Sequence, residues 1–291
     1  MKRVGLIGYP LGHSISPALH QAAFAALGIE GRYETWETPP EALAGRVSAL
    51  RSEDVLGANV TIPHKEAVIE LLDGTTDLAA KSGAVNTIVN RAGRLSGHNT
   101  DVIGFARALE QDARFDARGA RAAVLGAGGA GRAVALALLE AGASLTFVAD
   151  IVPHRAEALV ESLRSLAPAG TTLVWGYWDS PAFRQTLAGC QLLVNCTPVG
   201  TRGGDSEGQS PLSTDLIPKD VLVFDLVYNP PETPLMAAAR ERGCRVSSGL
   251  GMLVYQAAES FRLWTGRKPP MESMLQAGRR ALEVFAGQAG R

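Results

Sequence analysis

Short apolar runs that stop at glycine or proline alternate along the chain with stretches of helical spacing. Residues 4–7 read as a strand ended by Gly8, and Ser16-Pro17 opens an alanine-rich helix over 18–27 that Gly28 closes. Residues 57–62 read as a second strand, with Pro63 starting a helix through Leu72. Residues 84–89 read as a third, followed by a turn near Ala92-Gly93 and a helix over 101–109. The polar stretch 112–121 is poor in large apolar residues and reads as a junction. A second series follows, with strands at 122–125, 145–148, 173–175, 192–195 and 221–224. Residues 201–213 have the composition of a mobile surface loop, and 250–291 read as helices broken at Pro269-Pro270. Strand–helix alternation predicts the α/β class with a largely parallel sheet, and the two series predict two such domains. There is no fixed-period repeat or low-complexity tract.

Composition narrows the class of protein. The chain has 291 residues, which at roughly 150 per domain suits two domains. Each can bury a core without metal or disulfide staples. Hydrophobic residues make up 46% and the formal net charge is −1. That excludes disorder as the dominant state and lacks the basic excess of a protein that grips nucleic acid. Cys190, Cys196 and Cys244 are odd in number and match no zinc spacing, so they read as reduced thiols of a cytoplasmic protein with no metal site. The apolar run at the N-terminus ends at Gly8 and Pro10, too short for a signal segment. The longest weakly charged stretch, 122–149, carries Arg132, Glu140 and four glycines near its start, so it does not read as a membrane span.

Gly126, Ala127, Gly128, Gly129, Ala130 and Gly131 fit G-x-G-x-x-G. Alone the pattern is weak, but here it follows an apolar strand and opens a helix over 132–141 that ends at Gly142, the context in which it binds a dinucleotide. A bare backbone lets a pyrophosphate approach the helix N-terminus, where free N–H groups and the dipole hold it. The next strand ends at Asp150, where an acid meets the adenosine ribose; the alternative is a solvated turn acid. A carboxylate accepts hydrogen bonds from ribose hydroxyls and repels a 2′-phosphate, so Asp150 favours NAD. His154 and Arg155 follow closely enough to reach a phosphate, which leaves NADP open.

Three segments of the first series are polar where a buried strand end is normally apolar: residues 13–20, 59–65, and 83–87 with 97–101. All lie where a strand hands over to a loop or helix, the usual place for ligands in an open α/β sheet. Lys65, placed in the first turn of the helix after Pro63, meets a dipole that disfavours a cation, which would make it a usable proton carrier near neutrality. Its other reading is a solvated surface lysine. Asp101 follows Thr100 at a helix start, where a carboxylate is stabilised, and reads equally as a plain helix-cap acid. Ser14 and Ser16 are capable of capping the helix near Pro17. His13, His20 and His98 show no metal-ligand spacing, so ordinary polar packing accounts for them.

Eight ordered motifs, spread over nearly the whole chain, give it a family resemblance. They are His-Ser-Ile-Ser-Pro at 13–17, Asn-Val-Thr-Ile-Pro-His-Lys at 59–65, Gly-Ala-Val-Asn-Thr at 83–87, Asn-Thr-Asp at 99–101 and the glycine turn at 126–131. Asn-Cys-Thr-Pro-Val-Gly at 195–200, Asp-Leu-Val-Tyr at 225–228 and Gly-Leu-Gly-Met-Leu-Val-Tyr-Gln at 249–256 complete the set. The chain resembles the shikimate/quinate dehydrogenase family. The resemblance implies reversible hydride transfer between a nicotinamide ring and a ring carbinol of shikimate, the biosynthetic direction being reduction of 3-dehydroshikimate on the route to aromatic amino acids. It makes Lys65 and Asp101 the catalytic pair. It gives Ser14 and Ser16 to the substrate carboxylate, and Thr61, Asn86 and Gln256 to ring hydroxyls, with Tyr228 closing the site. Gly126, Gly128, Gly129, Ala130, Gly131, Asp150 and Thr197 fall to the cofactor, with Gly249 and Met252 near the nicotinamide. The implied architecture is a substrate-binding α/β domain, residues 1–104 completed by 250–291, and a Rossmann-like dinucleotide-binding domain, 105–249. The substrate is expected in a cleft between them, in a monomer or homodimer.

Two departures from the family pattern stand out. The Asn-Arg-Thr-like segment that receives the NADP phosphate is replaced by Ala149-Asp150-Ile151, as in the NAD-preferring quinate/shikimate branch, and Ser248 stands where Asp is common. Nothing explains Ser248. Ser14-x-Ser16 has the shikimate type, since quinate-preferring relatives often change one serine. The leading expectation is therefore a shikimate dehydrogenase using NAD or NADP. A catabolic NAD-dependent quinate/shikimate dehydrogenase comes second. A non-catalytic sensor of dinucleotide or quinate comes third, and a proton-transfer pair argues against it.

Overall fold

The computed structural model describes residues 1–12 and 14–288. His13 and residues 289–291 therefore lie outside the described residues. The chain divides into two compact units, residues 1–104 with 253–291, and residues 105–252. Both chain crossings fall inside helices, Thr100–Arg107 and Leu250–Thr265, whereas the polar stretch 112–121 lies within the second unit.

The first unit carries a six-stranded sheet made of β1 (Lys2–Gly8), β2 (Gly31–Glu37), β3 (Val55–Val60), β4 (Gly74–Thr75), β5 (Thr87–Arg91) and β6 (Arg94–His98), in the order β2-β1-β3-β5-β6-β4. β1 runs parallel to β2 and β3, but β5 is antiparallel to both β3 and β6. The sheet is thus largely parallel, as the alternation predicts, with β5 alone running against the other five strands. Ala92-Gly93 closes a β5–β6 hairpin, with Ala92 at φ 52° and Gly93 at φ 83°, and antiparallel strands can be joined by so short a loop. The reversal places the ends of β1, β3 and β6 and the start of β5 at one edge of the sheet. Ile7, Val60, Ile88 and Leu95 from the strands pack with Val47 and Leu50 into a buried core. The helix Ser16–Ala26 packs on the helix Met271–Gln288, and Trp264 Nε1 donates to Ile88 O at 2.9 Å, tying the helix Leu250–Thr265 to β5.

β2 escapes the sequence reading because its buried residues, Tyr33 and Trp36, lie three apart and break strand alternation. The helix expected from Pro63 is also absent. Residues 62–66 form turns, and a 3-10 helix begins only at Ala67 and ends at Leu71. His64 N–H bonds Thr61 O at 2.9 Å, and Lys65 O accepts Val85 N–H at 2.7 Å. With its carbonyl spent on the neighbouring segment, Lys65 does not sit in the first turn of a helix, and the dipole argument for it falls.

The second unit is a six-stranded sheet of β7 (Arg121–Leu125), β8 (Leu145–Asp150), β9 (Thr172–Tyr177), β10 (Leu192–Asn195), β11 (Leu222–Asp225) and β12 (Arg245–Ser248). All pairings are parallel, in the order β12-β11-β10-β7-β8-β9. This is the doubly wound order, with its switch point between β7 and β10. Ala123, Leu125, Phe147, Leu193 and Val223 fill its core with Phe183 and Leu187 from the helix Pro181–Ala188. Residues 201–213 hold turns and no regular strand. None of the three cysteines forms a disulfide. Among the described residues no helix is long and apolar enough to cross a membrane.

Candidate active site and dinucleotide site

At the shared edge of the first sheet, Lys65 Nζ donates to Asp101 Oδ2 at 2.7 Å. The side chains are 16% and 8% exposed, so this is a shielded charge pair. Asp101 lies in the first turn of the helix Thr100–Arg107, and the helix is capped by Asn99, whose Oδ1 accepts from the N–H groups of Asp101 at 3.1 Å and Val102 at 3.3 Å. With Asn99 as the cap, the Asp101 carboxylate is free of that task. Its Oδ1 accepts from Asn86 Nδ2 at 2.8 Å.

Asn86 precedes β5. Its Oδ1 accepts the Thr100 backbone N–H at 2.7 Å, which orients the amide, and its Nδ2 then faces Asp101, Thr100 Oγ1 at 2.9 Å and Gln256 Oε1 at 3.3 Å. Gln256 reaches the cluster from the helix Leu250–Thr265 and is 7% exposed. The structure thus brings together Lys65, Asp101, Asn86 and Gln256. Ser14 and Ser16 lie on the segment after β1, Ser16 as the first residue of the helix Ser16–Ala26, and Thr61 follows β3 directly, so all three leave the same sheet edge. No side chain caps the helix Ser16–Ala26, so the serines are not consumed as caps, although Ser14 Oγ accepts the Ser16 N–H at 3.3 Å.

Three residues passed over by the sequence reading belong to the cluster. Asn59, Thr87 and Thr100 are each buried, and each sits inside a motif already singled out for its polarity. His20 behaves differently from the polar packing expected of it. It is fully buried, stacked on Tyr33 with ring centres 4.4 Å apart, and burial pushes its imidazole down to about 3, so the ring is neutral.

In the second unit the glycine turn leaves β7 at the switch point. Gly126 has φ +96°, and a Cβ on Gly131 would lie 2.0 Å from Gly126 O, so both positions require glycine. The helix Gly129–Glu140 starts at Gly128 with no side-chain cap, leaving its first-turn N–H groups for a ligand such as a phosphate. Thr197 packs against the turn: a Cβ on Gly126 would meet its Cγ2 at 3.1 Å. Asp150, 8% exposed, accepts from Ala127 N–H through Oδ2 and from Val152 N–H through Oδ1, each at 2.8 Å. It is therefore no solvated turn acid; it pins the glycine turn to the end of β8. Each oxygen keeps a lone pair for a further donor. These residues fit the dinucleotide that the fold implies. Gly249 abuts Leu226, where a Cβ would lie 2.0 Å from its carbonyl oxygen, and Met252 is buried. Tyr228 follows β11, half-buried. Among the described residues no group of three or more His, Cys, Asp or Glu side chains is placed to hold a metal ion.

Comparison with known proteins now bears on both sites. Residues 6–88 match the model of the shikimate dehydrogenase substrate binding domain, and residues 249–277 match that of the shikimate 5'-dehydrogenase C-terminal domain. The chain is 45% identical over 284 residues to the shikimate dehydrogenase (NADP(+)) of Moorella thermoacetica, covering 98% of this chain and 95% of that one. The chain belongs to the shikimate dehydrogenase family. Among solved structures, that of the family member from Thermus thermophilus in complex with NADP(H) and shikimate superposes with a TM-score of 0.84 at 42% identity, covering 97% of this chain and 100% of that one. The quinate dehydrogenase of Corynebacterium glutamicum in complex with NAD gives 0.84 at 34% identity, covering 95% and 98%. Both units of this family member are thus accounted for, a substrate-binding α/β domain and a Rossmann-like dinucleotide-binding one.

The end of β10 is held by a second buried polar group. Thr197 Oγ1 donates to Asn195 Oδ1 at 2.7 Å, Asn195 Nδ2 to Asp225 Oδ1 at 2.9 Å, and Thr233 Oγ1 to Asp225 Oδ2 at 2.6 Å. Burial pushes the Asp225 carboxyl up to about 6, against the opposing bonds from Thr233, the Val227 N–H and Asn195. Between the unfolded value of about 3.9 and about 6, the native state holds a proton that the unfolded chain has released. Asp225 therefore lowers stability as pH rises through that window, by on the order of 3 kcal/mol in all. Asp225→Asn keeps the shape and removes the titration, so its stability should gain on the native chain by that order between pH 4 and pH 7. Urea unfolding at both pH values measures it, and parallel profiles would remove Asp225 from the account.

Proposed function

We propose that the chain catalyses reversible reduction of 3-dehydroshikimate to shikimate with a nicotinamide dinucleotide. The observation that carries this reading is the Lys65–Asp101 pair at 2.7 Å, held at a polar sheet edge by Asn86. The glycine turn, Asp150 and Thr197, with Gly249 and Met252 on the nicotinamide side, would hold the dinucleotide, which would supply or accept the hydride. Lys65 Nζ carries the proton that the substrate oxygen gains in reduction and takes it back in oxidation. Asp101 Oδ2 keeps the ammonium aimed, and Asn86 keeps Asp101 aimed. Ser14 and Ser16 hydroxyls donate to the substrate carboxylate. Thr61 and Gln256 bind ring hydroxyls with Asn86, and Tyr228 closes the site. Neutral hydroxyls and amides suit a polyol ring because they both donate and accept.

Of the named relatives, those from Moorella thermoacetica and Thermus thermophilus carry NADP in name or complex, and that from Corynebacterium glutamicum is in complex with NAD. In this chain NAD is the favoured cofactor. Asp150 presents a carboxylate where a 2′-phosphate needs a cation, and Ile151 beside it is 80% exposed and uncharged. Exposed His154 and Arg155, in the first turn of the helix Pro153–Arg164, allow NADP as the second choice. Both serines, Ser14 and Ser16, favour shikimate over quinate.

The deciding assay offers shikimate and quinate, each with NAD and with NADP, and follows reduced nicotinamide by absorbance. Turnover of shikimate with little of quinate is expected; preference for quinate with NAD would move the chain to the catabolic reaction, and no turnover in any pairing would leave a sensor. Lys65→Ala should lower kcat by about 10²–10⁴-fold while shikimate affinity changes only modestly, as removal of a general acid–base group does. Full activity in that variant would refute the assignment. Because Asp150 also holds the glycine turn, cofactor choice is better probed next door. Ile151→Arg should shift the ratio of efficiencies toward NADP by about ten-fold, the effect of one charge-assisted bond. An unchanged ratio would show that position 151 does not meet the ribose.

A further inference from the structure

One turn beyond Gln256 on the same helix stands Ser260, with no solvent exposure. Its Oγ lies 3.0 Å from Asn59 Nδ2, 2.8 Å from Thr87 Oγ1, 3.1 Å from Thr100 Oγ1 and 3.0 Å from Gln256 O. These partners come from the end of β3, the start of β5, the start of the helix after β6, and the serine's own helix. A single hydroxyl therefore joins every segment that delivers a side chain to the Lys65–Asp101 cluster, apart from the Lys65 turn itself.

The direction of these bonds follows from the partners. Gln256 O only accepts, so it takes the one hydrogen of Ser260. Asn59 is oriented by Asn86 O, which accepts from Nδ2 at 3.2 Å, and by Tyr33, whose hydroxyl donates to Oδ1 at 2.9 Å. Its Nδ2 is thus a donor toward Ser260. With its hydrogen spent, Ser260 has two lone pairs, one for Asn59 Nδ2 and one for the Thr100 hydroxyl, while the Thr87 hydroxyl donates to Asn86 Oδ1 at 3.1 Å. A Thr100 hydroxyl that donates to Ser260 keeps a lone pair turned to Asn86 Nδ2. The arrangement has one consistent polarity, running from the Ser260 oxygen through Thr100 to the amide that fixes Asp101.

We propose that Ser260 is a positioning residue for proton transfer: its hydroxyl holds Thr100 in place, so that Asn86 holds Asp101 against Lys65. The proposal rests on the dehydrogenase reading above. Nothing in the sequence patterning marks Ser260, because a serine on a buried helix face reads as packing. Its i+4 spacing from Gln256 is the only hint.

Two variants separate hydroxyl from volume. Ser260→Cys fills the same space with a weak hydrogen-bonding group, and Ser260→Ala removes both. The native chain and both variants are assayed with shikimate and dinucleotide, with thermal unfolding measured in parallel. In both variants kcat per folded molecule should fall roughly ten-fold, the loss of about one hydrogen bond's worth of alignment, with KM for the dinucleotide unchanged and a larger solvent deuterium isotope effect. Native kcat in Ser260→Cys would overturn the proposal. So would a loss of activity that merely tracks the loss of folded protein, since that assigns Ser260 to structural support. An inactive native chain would instead overturn the dehydrogenase reading, and the positioning role with it.

Discussion

A backbone N–H donates and never accepts, and that asymmetry at Thr100 orders the candidate active site. Because Thr100 N–H points at Asn86, the amide oxygen must face it and the NH2 must face the other way, toward Asp101. Asp101 then presents its second oxygen to Lys65. A side chain with two chemically distinct ends has been given one orientation by a group that cannot adapt. Both ends of the Asn86 amide already have protein partners, so its first task is alignment, and the ring-hydroxyl contact proposed for it is shared with that task.

The charge pair itself contributes little to the case for folding. Shielding a lysine and an aspartate costs desolvation that their attraction only partly offsets, and apolar residues of similar size often fold as well or better. Its retention at a sheet edge crowded with hydroxyls and amides is better explained by chemistry. The carboxylates of the second unit are used otherwise. Asp150 ties the glycine turn to β8, and Asp225 fastens the ends of β10 and β11. These two shape strand ends where a ligand is expected, whereas Asp101 orients the Lys65 ammonium, to which the proton transfer is assigned by proposal.

Much of this was legible in the residues. The glycine turn, its flanking strand and helix, and the acid at the end of β8 follow directly from spacing, because a dinucleotide-binding turn is a local structure. The N-terminal polar motifs were legible as a site, since polar side chains at strand ends are uncommon without a use. The pairing of Lys65 with Asp101 came from family resemblance, not from spacing: 36 residues separate them, and only the sheet brings them together. The expected helix after Pro63 failed because Lys65 O and Val85 N–H form a bond between distant segments that no local pattern encodes. β2 failed for the opposite reason, its local pattern being at odds with its place in the sheet.

The reversal of β5 is the feature on which the site most depends, and it was the least visible. Had the first sheet been all parallel, the start of β5 would lie at the far edge from the ends of β3 and β6. A five-residue strand spans about 16 Å at about 3.3 Å per residue, so Asn86 would be removed from Asp101 by that distance. Reversal puts Asn86 beside Asn59 and Asn99–Asp101, with Thr87 opposite Asn59 and His98 in the registers of the two neighbouring strands. The hairpin at Ala92-Gly93 is therefore part of what builds the candidate site: its tight turn is what delivers the start of one strand and the end of the next to the same edge.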